Sequence, residues 1–460
     1  MKNIRISSYF NHVDVGNGTS LIYNGSTLCI DLVPTDYVER LLDTGDSSFL
    51  SPEEREHLIK RGHLTTLSSR NELKEFRKIV RFILERRNKL DKEAKAATLC
   101  ILLTYDCNLA CSYCFQKTLD TSVRSAVMSG EFIDEFFDRY LSQLYPNNPD
   151  ELLISLFGGE PLLPKNRVAI THILAYAKDH PALRVSVTTN ATTITEMADL
   201  IGAGSGKINN VHVTLDGDRE LHDENRIPNS GKPTFDAMIT AVRKLIDLQA
   251  HVSLRMHIHP DRLESAQYLI AYLATEKLLD HPQVSVYFSP INTFGSELIS
   301  LADAARFSHT FQQVAAKTHY PPSNLTFLDN FLKMQNQKLL PKVRYCAAGS
   351  DNFYILDPYG DLYACYEDTG HKDRRVGTLA EGKVKFKLLK GKYFRRHLLT
   401  IPECSRCSAA LYCGGGCPSE ARAHEGTIFK PYCHQNKAFI AETLKAFYLI
   451  SRQATAGQPS

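Results

Sequence analysis

Hydrophobic and polar positions change period along the chain, and these changes indicate where strands and helices form. Between residues 99 and 289, short apolar runs typical of buried strands alternate with amphipathic stretches of helical period. The strand-like runs are 99–105, 152–157, 184–189, 211–215, 252–258 and 284–289, and the helical stretches include 130–143, 167–178, 235–248 and 262–275. This alternation predicts parallel strands joined by right-handed helical crossovers, and six strands suit a partial barrel.

The pattern before residue 96 is different and predicts a small separate unit. Two strand-like runs, 19–23 and 27–32, flank Asn24-Gly25, which is a strong hairpin signal. Helical patterns follow at 34–42, 52–60 and 71–94. Ser51 and Glu54 have the spacing of a helix capping box. Strands followed by three helices predict a winged-helix-like unit.

Three cysteines, Cys107, Cys111 and Cys114, follow the first strand of the repeating region directly. Three thiolates on one loop leave one iron of a four-iron cluster open to another ligand, which suits a reaction centre. A zinc knuckle or buried structural cysteines are the alternatives, although zinc sites usually pair two Cys-x2-Cys units. The pattern therefore predicts a [4Fe-4S] cluster on this loop.

The spacing Cys-x3-Cys-x-aromatic-Cys, with Tyr113 as the aromatic residue, resembles the signature of radical S-adenosylmethionine (SAM) enzymes. The resemblance implies that the open iron binds the methionine end of SAM. It also implies that SAM is cleaved reductively to a 5′-deoxyadenosyl radical, so that Cys107, Cys111 and Cys114 hold the catalytic cluster. The implied fold is α/β: a partial (β/α)6 TIM-type barrel with its chemistry at the C-terminal ends of the strands.

Motifs at the ends of the next strands extend this resemblance. Gly158-Gly159-Glu160 resembles the family motif that binds the SAM amino group, and glycines at a strand end permit close backbone approach. Thr214-Leu-Asp216-Gly is followed in sequence by His222, Asp223 and Arg226. This pattern resembles one found in the radical SAM enzymes that modify peptides and sulfatases. The SAM-binding residues expected from the resemblance are Tyr113, Gly158, Gly159, Glu160, Asn190, Thr214, Asp216 and Arg255. Ordinary alternatives exist at three of these places. Gly158-Gly159 and Asp216-Gly217 are each compatible with a simple turn, and Arg255 is compatible with an outward-facing side chain. Ala191 stands where the family often has glycine.

Seven further cysteines lie beyond the barrel, between residues 346 and 433. Their order resembles the SPASM module, which holds two auxiliary iron–sulfur clusters, so the chain is expected to bind three [4Fe-4S] clusters in all. The resemblance assigns Cys346, Cys365 and Cys417 to an inner cluster and Cys404, Cys407, Cys413 and Cys433 to an outer one. Seven thiolates cannot close two four-ligand sites, so the inner cluster keeps an open iron or takes a ligand that the sequence does not identify. A zinc ribbon is the alternative. Cys29 and Cys100 are left over, and both are expected to be buried.

Composition narrows the class of protein. The chain has 460 residues, 43% hydrophobic and 23% charged, with a net charge of +3 and a pI near 8.2. Its basic residues are mixed with acidic ones, including Glu72, Glu75 and Glu85 on the long helix, so no nucleic-acid partner is expected. No apolar signal segment or bilayer-length apolar run occurs, which predicts a cytoplasmic protein without a membrane partner.

These observations predict a peptide-recognition unit at 1–96, a radical SAM barrel at 97–320 and a SPASM region at 321–460. The first unit weakly resembles domains that bind a leader peptide as an extra strand. The expected activity is hydrogen abstraction from a ribosomally made precursor peptide, giving a thioether or carbon–carbon cross-link or a related modification, with flavodoxin or ferredoxin as electron donor. Two alternatives stay open. One is an anaerobic sulfatase-maturating enzyme, although Tyr366 replaces the aspartate expected after Cys365; the other is a non-catalytic, DNA-binding metal-cluster regulator.

Overall fold

The computed structural model describes residues 4–229, 231–258, 262–290, 340–433 and 436–456. Its strands are β1 Arg5–Ile6, β2 Phe10–Gly16, β3 Thr19–Asn24, β4 Ile30–Pro34, β5 Leu64–Thr65, β6 Ala96–Leu102, β7 Glu151–Phe157, β8 Leu183–Thr189, β9 Ile208–Leu215, β10 His251–Ile258, β11 Val284–Pro290, β12 Phe353–Leu356, β13 Asp361–Tyr363, β14 Gly377–Ala380 and β15 Lys383–Phe386. Its helices are α1 Thr35–Thr44, α2 Pro52–Lys60, α3 Ser69–Lys92, α4 Thr121–Arg124, α5 Gly130–Glu135, α6 Leu141–Leu144, α7 Arg167–Asp179, α8 Arg219–Asn225, α9 Phe235–Asp247, α10 Leu263–Thr275, α11 Leu388–Arg395, α12 Ala410–Cys413, α13 Pro418–Glu425 and α14 Asn436–Ala456. A π-helical turn, Phe136–Tyr140, joins α5 to α6. The expected boundary at 320/321 lies outside the described residues.

The repeating region forms the α/β core. Strands β6 to β11 are parallel neighbours in chain order, which confirms the six predicted strands to within a few residues at each end. Buried valine, leucine and isoleucine side chains pack between these strands and helices α5, α7, α9 and α10. Parallel strands buried in this way place their carboxyl ends at one edge of the sheet. The predicted fold class, a partial barrel of TIM type, is confirmed.

The cysteine-rich region continues the barrel sheet. Strand β12 pairs in parallel with β6, and β13, β14 and β15 follow as antiparallel neighbours. In the described part of the chain this gives one sheet of ten strands. Strands β12 and β13 form a hairpin around Gly360, whose left-handed φ of +76° explains the glycine. The hairpin therefore anchors the cysteines after it to the first barrel strand.

The N-terminal region contains the predicted hairpin and three predicted helices. The hairpin belongs to an antiparallel sheet ordered β2-β3-β4, and α2 has the expected capping box between Ser51 and Glu54. The sequence analysis missed β2 and the short pair β1–β5. Among the described helices, none combines the length and apolar character needed to cross a membrane.

Candidate active site and cysteine groups

The cysteine loop and the Gly158-Gly159 turn are joined through their backbones. The Gly159 amide donates to the Thr104 carbonyl at 2.9 Å, and the Glu160 amide donates to the Asp106 carbonyl at 2.8 Å. Gly158 has a φ of +143°, and a Cβ on either glycine would collide with the carbonyl oxygens of the cysteine loop. This close approach requires glycine at both positions. The two motifs, 44 residues or more apart in sequence, thus form one surface.

The three cysteines of the loop are close enough to influence one another's ionisation. Burial raises the pKa of Cys107 to about 12, and the charges of Glu160, Cys111 and Cys114 add to this rise. Asn190 lies beside Cys107, with its Nδ2 3.9 Å from the sulfur and 2.7 Å from Asn108 Oδ1. The end of β8 therefore flanks the loop, which is where the sequence analysis expected Asn190.

Glu160 ties the ends of two strands together. Its buried carboxylate accepts hydrogen bonds from the Thr189 hydroxyl and the amides of Asn190 and Leu162, at 2.7 to 2.8 Å. Burial raises its pKa despite these donors. A carboxylate offers about four acceptor positions, so these three bonds leave capacity for a further donor. Its predicted bond to the SAM amino group stays a prediction.

A buried polar network lies at the ends of β9 and β10, and we call it the mouth network: Tyr113, Asp216, Arg226 and His257. Arg226 donates to the Tyr113 hydroxyl at 2.9 Å, and the Tyr113 ring meets the His257 ring edge-on at 4.9 Å. His257 Nδ1 lies 3.1 Å from an Asp216 oxygen. Although burial opposes ionisation, His257 and Arg226 hold the pKa of Asp216 well below its usual range. The network thus keeps an ionised carboxylate beside the cysteine loop.

The mouth network also has unused hydrogen-bonding capacity. Neither Asp216 oxygen has a well-aligned donor among the described residues, although both are fully buried. Buried acceptors in this state are costly unless a ligand or water supplies a donor. This capacity fits a polar ligand, such as SAM, bound at the mouth of the barrel.

Thr214 and Arg255 are neighbours in the register of β9 and β10. Neighbouring residues in register point to the same side of a sheet, and Asp216 and His257 lie two positions farther along on that side. Arg255 therefore lies on the same face of the sheet as the mouth network, and not on the outward face that the sequence analysis gave as the alternative. The sequence analysis did not select His257. The sequence did contain a signal for His257, because it lies two residues after Arg255 and therefore on the same face of a predicted barrel strand, near the end of that strand.

The cysteines beyond the barrel fall into two groups. In the inner group, burial and the charge of Asp368 raise the pKa of Cys365, and Cys346 and Cys417 add to the rise. In the outer group, burial raises the pKa of Cys404 to about 12, with added effects from Cys413, Cys407 and Cys433. These groups contain the same cysteines as the two ligand sets that the SPASM resemblance implies, and their binding of clusters stays a prediction. The leftover Cys100 is buried as expected, whereas Cys29 is half-exposed.

Backbone geometry brings the two groups together. Gly414, Gly415 and Gly416 all have left-handed φ values between +71° and +100°, and a Cβ on Gly414 would lie 2.5 Å from the Arg344 carbonyl oxygen. Side chains are excluded there by both conformation and space. The buried Arg396 binds the Gly415 and Ile428 carbonyls. Burial lowers its pKa, while Cys346, Cys404, Cys417 and Cys413 oppose that shift.

These groups fit iron–sulfur clusters in donor type and arrangement. Within the described ranges, no three histidine, cysteine, aspartate or glutamate side chains converge on a point where one metal ion would sit. Iron–sulfur clusters take cysteine thiolates as ligands, and each group supplies three or four of these donors.

Two acidic residues follow Cys365 at the inner group. Asp368 is fully buried, bound by Arg422, and accepts a hydrogen bond from Tyr393 at 2.5 Å. Glu367 is half-exposed, and burial together with the charges of Glu420 and Asp368 raises its pKa to about 7. Tyr366 packs its ring 4.8 Å from Phe157, at the end of β7. The inner group therefore adjoins the barrel mouth.

Comparison with known proteins agrees with this geometry. Residues 101–270 match the model of the Radical SAM superfamily. The serine-type anaerobic sulfatase-maturating enzyme of Klebsiella aerogenes is 25% identical over 335 residues, which cover 69% of this chain and 78% of that protein.

Two solved structures share the fold. One is native anSMEcpe with bound AdoMet and Kp18Cys peptide, with a TM-score of 0.60, 16% identity, and coverage of 78% of this chain and 99% of that one. The other is Streptococcus suis SuiB bound to precursor peptide SuiA, with a TM-score of 0.55, 14% identity, and coverage of 94% and 100%. Family membership implies a [4Fe-4S] cluster and SAM as cofactors. The chain is a radical SAM enzyme related to the sulfatase-maturating enzymes.

Proposed function

We propose that this enzyme modifies a ribosomally made precursor peptide, forming a thioether or carbon–carbon cross-link or a related product. Its three cysteine groups would hold one SAM-binding and two auxiliary [4Fe-4S] clusters. When bound, the first cluster and SAM supply a radical that abstracts hydrogen from an unactivated carbon.

The observation that carries the proposal is the open edge of the N-terminal sheet. In the described residues, β4 pairs with β3 on one side and with no strand on the other. Leu32 at this edge is 50% exposed. An open strand edge offers unpaired backbone donors and acceptors that an extended peptide can use. The edge therefore suits the leader segment of a precursor peptide.

The barrel mouth would position SAM and exclude water. Gly158 and Gly159 let backbone approach the cysteine loop, and the mouth network presents the unfilled acceptors of Asp216 to a polar ligand. Arg255, on the same face, is placed to contact a carboxylate. These fixed groups would hold the ligand in one orientation, which is how proximity lowers a reaction barrier.

The extent of the fold that this chain shares with SuiB also supports the proposal. The fold of SuiB, which was solved with its precursor peptide, covers 94% of this chain, whereas that of anSMEcpe covers 78%.

Formylglycine formation in a sulfatase is the second candidate, favoured by the 25% identity with the Klebsiella aerogenes enzyme. Against it, Tyr366 follows Cys365, and Asp368 is engaged by Arg422 and Tyr393. Glu367, with its raised pKa, is the carboxylate left at this position. A DNA-binding regulator without activity is not supported, because the chain is a radical SAM enzyme.

The two candidates are separated by substrate. Anaerobically reconstituted enzyme would be incubated with SAM, a reductant, and either a leader-bearing peptide encoded beside its gene or a sulfatase peptide. We expect a mass change in the first peptide, and a smaller yield when its leader is removed. Modification of the sulfatase peptide alone would overturn the proposal.

A matched pair of variants tests the strand edge. Leu32→Asp on β4 should weaken leader-peptide affinity, because the charge occupies the apolar side of the edge, by about tenfold for a loss of about 1.4 kcal/mol. Leu42→Asp on α1 is the control, since Leu42 is 49% exposed and belongs to a helix rather than to the strand. Equal affinities for the two variants, measured by fluorescence anisotropy, would contradict the role of β4.

A further inference from the structure

A stripe of cations runs along the exposed face of α3 into a groove beside the outer cysteine group. We call it the basic groove: Arg70, Lys74, Arg77, Lys78, Arg81 and Arg406. All six side chains are exposed. The first five come from successive turns of α3, and Arg406 comes from the turn between Cys404 and Cys407. The groove therefore combines one helix face with the cysteine turn itself.

The groove is more basic than the sequence suggested. Glu72 was expected to interrupt the cations, but its side chain is buried and accepts bonds from Arg5 and the Ser7 hydroxyl, at 2.7 and 2.6 Å. Glu75 pairs with Lys78 at 2.8 Å. No residue that lines the groove is acidic among those the structure describes. Lys78 is therefore paired with a carboxylate, and the other cations give the groove its excess of positive charge.

This arrangement opposes the stability of the helix that carries it. Like charges four residues apart repel along an α-helix, and three such pairs occur here: Arg70 with Lys74, Lys74 with Lys78, and Arg77 with Arg81. Arg70 also lies in the first turn, where the helix dipole disfavours a cation. An acidic partner would relieve both penalties.

The opposite face of α3 packs on the outer cysteine group. Phe76 and Val80 belong to the same buried cluster as Cys404, and the Tyr9 ring stacks on Phe76 at 4.6 Å. The Tyr9 hydroxyl donates to the carbonyl of Ser405 at 2.9 Å. The basic groove is thus separated from Cys404 by the width of α3 and one layer of side chains, except at Arg406, which lies in the cysteine turn itself.

From this juxtaposition we propose that the basic groove is the docking surface of an acidic one-electron carrier protein. The inference rests on the proposed outer cluster. In the exchange the carrier loses one electron and the enzyme gains one, and no proton or leaving group moves. Electron transfer between proteins slows steeply with distance, so the surface nearest the cysteine turn is favoured for a carrier. Cationic surfaces also accelerate encounter with acidic partners.

Charge reversal tests the groove. Arg77→Glu, Lys78→Glu and Arg81→Glu would be combined in the reconstituted holoenzyme. The control is Arg86→Glu with Lys89→Glu, two exposed cations farther along the same helix. An acidic flavodoxin serves as the carrier, with binding followed by biolayer interferometry and electron transfer from its reduced form by stopped-flow absorbance.

We expect the groove variant to bind the carrier at least about tenfold more weakly at low ionic strength, and the control to resemble wild type. Wild-type affinity should fall steeply with salt, and that of the groove variant much less. SAM cleavage driven by dithionite, a small reductant that needs no docking surface, should be equal in all three proteins.

Several results would overturn the proposal. One is equal carrier binding by the groove variant and wild type. Another is unchanged carrier binding with lost affinity for leader peptide or DNA, which would assign the groove to that ligand. A wild-type enzyme that binds the carrier but takes no electron would also overturn it. Iron content then shows whether the auxiliary clusters are themselves missing, which separates this failure from failure of the proposed function.

Discussion

The barrel mouth and the cysteine-rich region both bury charge, but they balance it differently. At the mouth, the Arg226 guanidinium lies 4.0 Å from the buried Asp216 carboxylate, so a counter-charge is already present. In the cysteine-rich region, Arg396 binds only carbonyl oxygens, and no carboxylate in the described part of the chain pairs with it. A buried cation without a counter-charge is costly.

This difference indicates two ways of preparing a cofactor site. The mouth network is neutralised by its own residues and can keep its geometry before a ligand arrives. Arg396, placed between the inner and outer cysteine groups, would gain an anionic partner when the proposed thiolate-bound clusters supply negative charge. We therefore expect the barrel to be preformed and the cysteine-rich region to gain its stability on cluster loading.

The largest test of this contrast removes one ligand from each region. Cys107→Ala should lower deoxyadenosine formation from SAM more than about 100-fold. Mutating even a residue that only hydrogen-bonds to a metal ligand typically lowers metal affinity or activity by about 10–100-fold, and Cys107 is itself a predicted ligand. Cys404→Ala, in the outer group, should leave this reaction within several-fold of wild type while peptide modification fails. Chromatographic detection of deoxyadenosine and mass spectrometry of the peptide measure the two effects.

Cys29→Ala is the matched control, since Cys29 belongs to none of the three groups and is half-exposed. Equal loss of SAM cleavage in Cys107→Ala and Cys404→Ala would break the contrast, because it would make the barrel site dependent on the outer group.

A smaller effect is expected at Arg396. Replacement by methionine removes the cation that faces four cysteines, so the holoprotein should lose more stability than the metal-free protein, by about 2 kcal/mol. Iron content should fall as well, while the barrel cluster remains. Denaturant unfolding of both forms measures the difference.

Arg422→Met provides the comparison for Arg396, because Arg422 is already paired with Asp368. Its cost should be similar with and without iron. If Arg396→Met behaves in the same way, the cysteine-rich region does not depend on clusters for its charge balance.

Much of the barrel could be predicted from the sequence, because its strands are buried on both faces and its helices are amphipathic. The grouping of the cysteines beyond the barrel was implied by their resemblance to the SPASM module, and it stays a prediction. The strand β2 was missed because its mixed polar pattern, Phe-Asn-His-Val-Asp-Val-Gly, is typical of a partly exposed strand, although Asn17-Gly18 joins it directly to its partner β3.

What sequence could not supply was the direction of individual side chains. From the sequence alone, Glu72 is expected to interrupt the basic face of α3. In the structure its carboxylate instead accepts hydrogen bonds from Arg5 and Ser7. No local sequence pattern distinguishes His257 from the other histidines. Only the pairing of β9 with β10 places it beside Asp216. Such contacts join residues far apart in the chain, so no local pattern reports them.

Acid should weaken the barrel mouth through His222. Its Nδ1 accepts a hydrogen bond from the Asp216 amide at 3.3 Å, which requires the neutral ring, and burial together with Arg226 lowers its pKa to about 4. An unfolded histidine titrates near 6.5, so the unfolded state takes up the proton first as pH falls. This contribution to stability is complete above pH 6.5 and is lost between 6.5 and about 4, up to about 3 kcal/mol.

Denaturant unfolding at a series of pH values measures the slope. His222→Asn keeps an acceptor at this position but cannot titrate, so its stability should change less between pH 6.5 and 4. Identical slopes for the two proteins would place the acid sensitivity elsewhere, for instance in the cysteine-rich region.

The smallest expected effect concerns backbone strain, where the two regions differ again. Ala191 at the end of β8 has a φ of +62°, a conformation that costs a residue with a side chain roughly 1 kcal/mol, whereas the cysteine-rich region places glycine at Gly414. Ala191→Gly removes this strain but adds freedom to the unfolded chain, worth about 0.4–1 kcal/mol in the opposite direction. We expect the free energy of unfolding to change by less than about 1 kcal/mol. A loss much larger than this would mean that the Ala191 methyl group, which is buried, packs a site that the backbone argument overlooks.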